Sequence, residues 1–225
     1  FDSSNGMWSQ VTPMSHKRTH FDCAVVEDKI YLCGDLDKNT LEVFDTKTQL
    51  FQTLKPMKFA KHSCAVAALD NYIYVAGGYC GEKDLPSNSV ERYNIETNEW
   101  EEILSMATRR SNFSLVELKG KLYAIGGADY IVECYDPETN RWEFKPRLRS
   151  QNEIGEVTAV NFHNKIYVVE KQNFQAYDPK TNSWTVMQSL KDSIEGRCLV
   201  VFQNRLTVIG GRIFDPDSQT MKRSE

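Results

Sequence analysis

One short unit returns along this chain, and its spacing constrains the fold more than any other feature. It is clearest at Asn71-Tyr72-Ile73-Tyr74-Val75-Ala76-Gly77-Gly78, followed by Val90 to Trp100. A β-branched and aromatic run ends in two glycines, a loop follows, and a second apolar run passes through the polar turn Glu96-Thr97-Asn98 into a third run opening with Trp100. The composition suits half-buried strands, and the glycines let the backbone leave the strand at angles a Cβ would forbid. The strand tyrosine returns as Tyr31, Tyr74, Tyr123 and Tyr167, with Thr207 in the fifth place. A second signal is stricter: Phe1/Trp8, Phe44/Phe51, Tyr93/Trp100, Tyr135/Trp142, Tyr177/Trp184 and Phe214/Met221 are all seven residues apart. Asp or Asn follows the first aromatic each time: Asp2, Asp45, Asn94, Asp136, Asp178 and Asp215.

Steps of 43, 49, 44 and 40 residues between strand residues match the length of a propeller blade. In the strand tyrosine with double glycine, then the Tyr-Asp pair, then the Trp, the chain resembles the kelch-repeat family of β-propellers. The double glycine is intact at Gly77-Gly78, Gly126-Gly127 and Gly210-Gly211, half present at Gly34-Asp35, and replaced by Glu170-Lys171. The resemblance covers the whole chain and implies an all-β propeller of four-stranded antiparallel blades.

The repeat divides the 225 residues, read as one domain, into a partial unit at 1–8 and units at 9–53, 54–104, 105–146, 147–188 and 189–225. Five units and the last two strands of a sixth predict a six-bladed ring, because an unclosed ring leaves unpaired strand edges; a five-bladed ring with an extra leader is the alternative. The chain begins inside a repeat, so upstream sequence is expected. Five apolar runs form the first strands, beginning at Cys23, Cys64, Ser114, Val157 and Cys198. The pairs Asp28-Lys29, Asp70-Asn71, Lys119-Gly120, His163-Asn164 and Gln203-Asn204 are the expected turns after them. Phe214 follows Gly211 by only three positions, an interval that looks too short for a hairpin and suggests missing residues.

Composition narrows the function. A net charge of −4 disfavours a general nucleic-acid binder, and no run of 18 apolar residues could span a membrane. The six cysteines show no paired spacing. Cys23, Cys64 and Cys198 read as small buried strand residues in a reducing compartment, the cytoplasm or nucleus. No phosphate loop, nucleophile elbow or His-Glu-x-x-His motif is present. His16 and His20 are four apart but precede a strand; His20 and His62 read as polar groups satisfying backbone there. No metal, cofactor or catalytic residue is expected, and an enzymatic propeller is a distant alternative.

Binding residues are expected on the loops of one face. Counting back 13 and 11 residues from each strand tyrosine gives Arg18 and His20, Lys61 and Ser63, Arg110 and Asn112, then Ile154 and Glu156. The resemblance implies that such positions contact a peptide. Post-glycine loops add Asp37, Tyr79, Glu82, Lys83, Asp129, Tyr130 and Gln172. Arg18, Lys61 and Arg110, with Arg109, are expected to form a basic arc that grips an acidic or phosphorylated peptide. Tyr79 and Tyr130 are the expected anchors. The Asn112-Phe113-Ser114 sequon reads as chance.

The Met-ended loops (Pro13-Met14, Pro56-Met57, Ser105-Met106) and compact units resemble the kelch portion of BTB-kelch proteins. That resemblance implies substrate recognition for a cullin-RING ubiquitin ligase, with the cullin held by domains outside this chain. The alternative is an actin-associated or scaffold kelch protein without a ligase role.

Overall fold

The computed structural model describes residues 5–36, 38–80, 85–149, 157–187 and 198–209, and the backbone of 212–215 and 220–223. Five four-stranded antiparallel sheets follow one another, and no helix forms among the described residues. Blade 1 is β1 (Asp22–Val26), β2 (Lys29–Cys33), β3 (Leu41–Asp45) and β4 (Leu50–Thr53). The short β5 (Lys61–His62) precedes blade 2, which is β6 (Ala65–Leu69), β7 (Tyr72–Ala76), β10 (Val90–Asn94) and β11 (Glu99–Ile103). Between β7 and β10, β8 (Tyr79–Cys80) and β9 (Leu85–Pro86) join β5 in a small three-stranded sheet.

Blade 3 is β12 (Ser114–Leu118), β13 (Lys121–Ile125), β14 (Val132–Asp136) and β15 (Arg141–Lys145). Blade 4 is β16 (Val157–Phe162), β17 (Lys165–Glu170), β18 (Asn173–Asp178) and β19 (Ser183–Val186). Blade 5 is β20 (Cys198–Phe202), β21 (Arg205–Ile209), β22 (Arg212–Asp215) and β23 (Thr220–Arg223). Successive first strands β1, β6, β12, β16 and β20 are neighbours, so they line a common axis.

The seven-residue spacing works as the sequence suggested. Tyr93 faces Trp100, Tyr135 faces Trp142, Tyr177 faces Trp184 and Phe44 faces Phe51 across third-to-fourth-strand hairpins. The three Tyr–Trp pairs have ring centroids 5.3, 5.1 and 5.1 Å apart. The acid or amide after the aromatic closes the hairpin as an Asx turn: Asp45 Oδ1 accepts from the Lys47 and Thr48 amides, and Asn94 Oδ1 from those of Glu96 and Thr97. Each Trp indole donates to the linker entering its own blade: Trp100 to Lys55 O, Trp142 to Leu104 O and Trp184 to Pro146 O, at 2.7–2.8 Å. These rings lie in apolar layers between consecutive blades, Trp184 buried, Trp100 and Trp142 half-buried.

Several expectations need correction. Trp8 is 74% exposed, and the expected Phe1/Trp8 pair of a partial sixth blade lies outside the described residues through Phe1. The first turn pair is Glu27-Asp28 rather than Asp28-Lys29, because Val26 pairs with Lys29. Cys64 is buried, but Cys23 and Cys198 are exposed. At the short fifth interval β21 pairs with β22, Val208 opposite Arg212, and residues 210–211 lie outside the described residues.

Candidate partner-binding face

In an up-and-down blade, the linker and the loop between second and third strands share one end, and the two tight turns share the other. At the linker end the backbone is tied from blade to blade. The Ser63 amide donates to His20 O at 2.7 Å, and the Asn112 amide to Ser63 O at 3.0 Å. His20, Ser63 and Asn112 hold φ of 54°, 52° and 52°, the left-handed region that non-glycine residues seldom occupy. Their repetition on three blades shows a shared conformation held by this chain of bonds. Unusual backbone held by its surroundings is a recurring mark of ligand-binding positions.

These residues rim a cavity of about 200 Å³ whose walls include Asp22, Cys64, Ser114 and Thr158. Below the rim, Asp22 Oδ2 accepts from the Val66 amide of blade 2, Ser114 Oγ donates to Val157 O of blade 4, and Thr158 Oγ1 accepts from the Leu199 amide of blade 5. Protein packed around the Asp22 carboxyl raises it from 3.8 to about 6, against the opposing pull of the Val66 and Cys23 amides. Burial pushes the Cys64 thiol up to about 12, with the Asp22 charge adding to it. Such a thiol is a poor nucleophile.

His20 and Asn112 are exposed. The His62 ring lies 5.9 Å from His20 and stacks on Tyr79 at 5.1 Å, joining the rim to the small sheet above blade 2. Exposed Arg109 donates to Pro86 O at 3.3 Å and borders the same sheet. Asp129 and Tyr130, at φ 41° and 58°, are the central residues of a turn closed by the Ile131 amide on Ala128 O. Tyr130 packs half-buried against the core between blades 3 and 4, so less of its ring is open than an anchor would present. Glu156, with Asp37, Glu82 and Lys83, lies outside the described residues. Gln172 belongs to a two-residue hairpin between β17 and β18, so blade 4 raises no long loop here.

The expected basic arc is not on the surface. Arg18, Lys61 and Arg110 are buried, their side chains fully enclosed, and each is paired with a buried glutamate of its own blade's third strand. The Arg18–Glu42, Lys61–Glu91 and Arg110–Glu133 contacts are 2.8, 2.7 and 2.8 Å. The cause is the double-glycine turn. Arg18 Nη1 donates to Gly34 O, and Arg110 Nη1 to Gly126 O, so the guanidinium fills the space beneath the bend. Meanwhile the Asp35 amide donates to Lys61 O and the Gly78 amide to Arg110 O, drawing the next linker across the turn of the preceding blade. A Cβ at Gly77 would stand 2.7 Å from Arg110 O and 2.8 Å from the Phe113 ring. Burial pulls Arg110 below its usual range, opposed by Glu133. For Glu42, burial raises the carboxyl, but hydrogen bonds from Ser15 and Arg18 and the charge of Arg18 outweigh it and hold it low.

Sequence reasoning missed the glutamates. Their signal is Glu two residues before the third-strand aromatic, at Glu42, Glu91 and Glu133, with Gln175 in the fourth unit. Gln175 supplies the neutral version, exchanging hydrogen bonds with the Arg149 backbone at 2.9 and 2.8 Å.

The family profile described as "FKB95, Kelch-repeats domain" matches residues 51–222. Human Kelch-like protein 23 is 31% identical over 175 residues, covering 75% of this chain and 31% of that protein. Mouse Kelch domain-containing protein 7A is 34% identical over 140 residues, 61% of this chain and 18% of that one. Human Kelch-like protein 11 is 43% identical over 84 residues, 35% of this chain and 11% of that one. The chain thus spans about a third or less of the length of these relatives. A solved structure titled "Structure of YjhT" superposes with a TM-score of 0.78 at 16% identity, over 93% of this chain and 77% of that one, a likeness of fold. The intact repeats, the paired hairpins and these matches place the chain in the kelch-repeat family of β-propellers.

Proposed function

We propose that this domain is a non-enzymatic protein-recognition module that holds a partner peptide or loop at the linker end. The observation that carries the reading is the rim itself: His20, Ser63 and Asn112, fixed in an uncommon conformation by bonds running from blade to blade, beside the stacked His62–Tyr79 pair. Binding groups on short loops over a rigid scaffold lose little entropy when they bind. With Arg18, Lys61 and Arg110 consumed internally, the rim is polar and mostly uncharged. Hydrogen bonding and aromatic contact, rather than a basic arc, then select the partner.

The similarity to kelch-like proteins supports a role as substrate receptor of a cullin-RING ubiquitin ligase, in the cytoplasm, with the cullin bound by other domains. The propeller would position a target and supply no chemistry of its own. The test is capture from cells with the full-length protein and with a His20→Ala/Tyr79→Ala/Asn112→Ala variant of matched thermal stability. The expected result is one specific partner lost with the variant, and a cullin retained by both. Retention of every partner by the variant contradicts the site. Loss of the partner with no cullin in either sample favours a scaffold role over the ligase.

A further inference from the structure

Blades 3 and 4 meet, at the end opposite the linkers, around a cavity of about 370 Å³. Lys119, Lys121, Lys145 and Lys180 line it together with Tyr123 and Tyr177, and no carboxylate does. The repeat shows how unusual this is. The same four positions are Glu27, Lys29, Leu54 and Glu96 where blades 1 and 2 meet, and Asp70, Tyr72, Ile103 and Glu138 where blades 2 and 3 meet. One junction of an acidic protein has exchanged its acids for lysines.

The open space has its own cause. In blade 2, Arg92 pairs with Tyr74 across the strands, lies 4.3 Å over the Tyr72 ring and donates to Tyr74 Oη. The equivalent residue of blade 3, paired with Tyr123, is the much smaller Cys134. Lys121 and Lys145 are neutralised by Asp136 at 2.7 Å and Glu143 at 3.0 Å. The Lys119 and Lys180 ammonium groups form no ion pair among the described residues, although the Lys180 amide donates to Asp178 Oδ1 at 2.9 Å and the Lys180 charge helps to hold that carboxyl low. Tyr177 donates to Asn182 Oδ1 at 2.7 Å, which leaves the Asn182 amide NH₂ as a further donor at the wall.

We propose that this cavity binds a small phosphate-bearing molecule. Two ammonium groups outside any ion pair, Lys119 and Lys180, answer the charge of a phosphate dianion, two further lysines and an amide can donate to its oxygens, and the volume is that of a small-molecule site. The cavity is remote from the linker rim, so the inference stands apart from the partner-binding proposal. Inorganic phosphate and pyrophosphate serve as probes, titrated calorimetrically at low ionic strength into the wild-type domain and a Lys119→Asp/Lys180→Glu variant. That variant installs the acids the preceding junction already carries, so it should melt like the wild type; Lys119→Ala and Lys180→Ala singles read the same site if it does not.

The expected result is saturable one-to-one pyrophosphate binding that weakens by about tenfold or more in the double variant, and a ligand-induced rise in melting temperature seen only in the wild type. Lys29→Glu, at the first junction, should leave binding unchanged. Absence of saturable binding, equal binding by the double variant, or an equal loss from Lys29→Glu overturns the proposal.

Discussion

At the scale of single residues, each buried cation is inseparable from its glutamate. Arg110→Ala would leave Glu133 enclosed without its partner and should cost about 3–5 kcal/mol, read as a lower urea midpoint. Replacing both by apolar residues should cost much less. A single-variant loss under about 1 kcal/mol would mean water reaches Glu133. Two carboxyls give opposite pH signatures. Asp22 is raised to about 6 in the fold, so its contribution to stability is full below about 4 and lost as pH rises through 6. Glu42 is held low, so its contribution is present above the ordinary carboxylate range and lost as pH falls through its lowered folded value. A carboxyl-carbon titration of Asp22 by NMR should give a midpoint near 6, and Asp22→Asn should flatten the fall in stability between pH 4 and 6. A midpoint near 4 would show that the carboxyl is hydrated.

At the scale of elements, the hairpins were the most legible part of the sequence, because pairing turns a fixed sequence interval into a fixed distance. Tyr177 and Trp184 face each other because two strands and one Asx turn leave them nowhere else. Trp184 is buried, so Trp184→Ala should cost about 3–5 kcal/mol and Trp100→Ala, half-buried, less. Trp184→Phe keeps an aromatic ring but loses the donation to Pro146 O, about 1 kcal/mol, together with part of the buried packing of the indole. Equal losses in the two alanine variants, by chemical denaturation, would contradict the packing described. The linkers were legible in position and misread in direction. Charge and spacing placed Arg18, Lys61 and Arg110 correctly along the chain, but their inward turn depends on carboxylates 23 or 24 residues away for the two arginines, which no local pattern couples to them. Glu170, buried where other blades have the first glycine, shows likewise that a blade can drop the bend and shorten to a hairpin.

At the scale of the whole molecule, blades are joined in two layers that serve different ends. Apolar sheets with Tyr and Trp at their margins supply the adhesion, and the backbone bonds at the linker end fix how neighbouring loops stand to one another. The rim therefore presents several blades' loops as one surface, which is what recognition of a folded or extended partner requires. The most direct test of that claim is hydrogen exchange on the domain alone and with its captured partner. Partner binding should slow exchange at the amides of His20, Tyr79 and Arg109 and leave the turns at Asp70-Asn71 and Lys119-Gly120 unchanged. Protection confined to those opposite turns, or to the outer strands β11 and β15, would contradict the account.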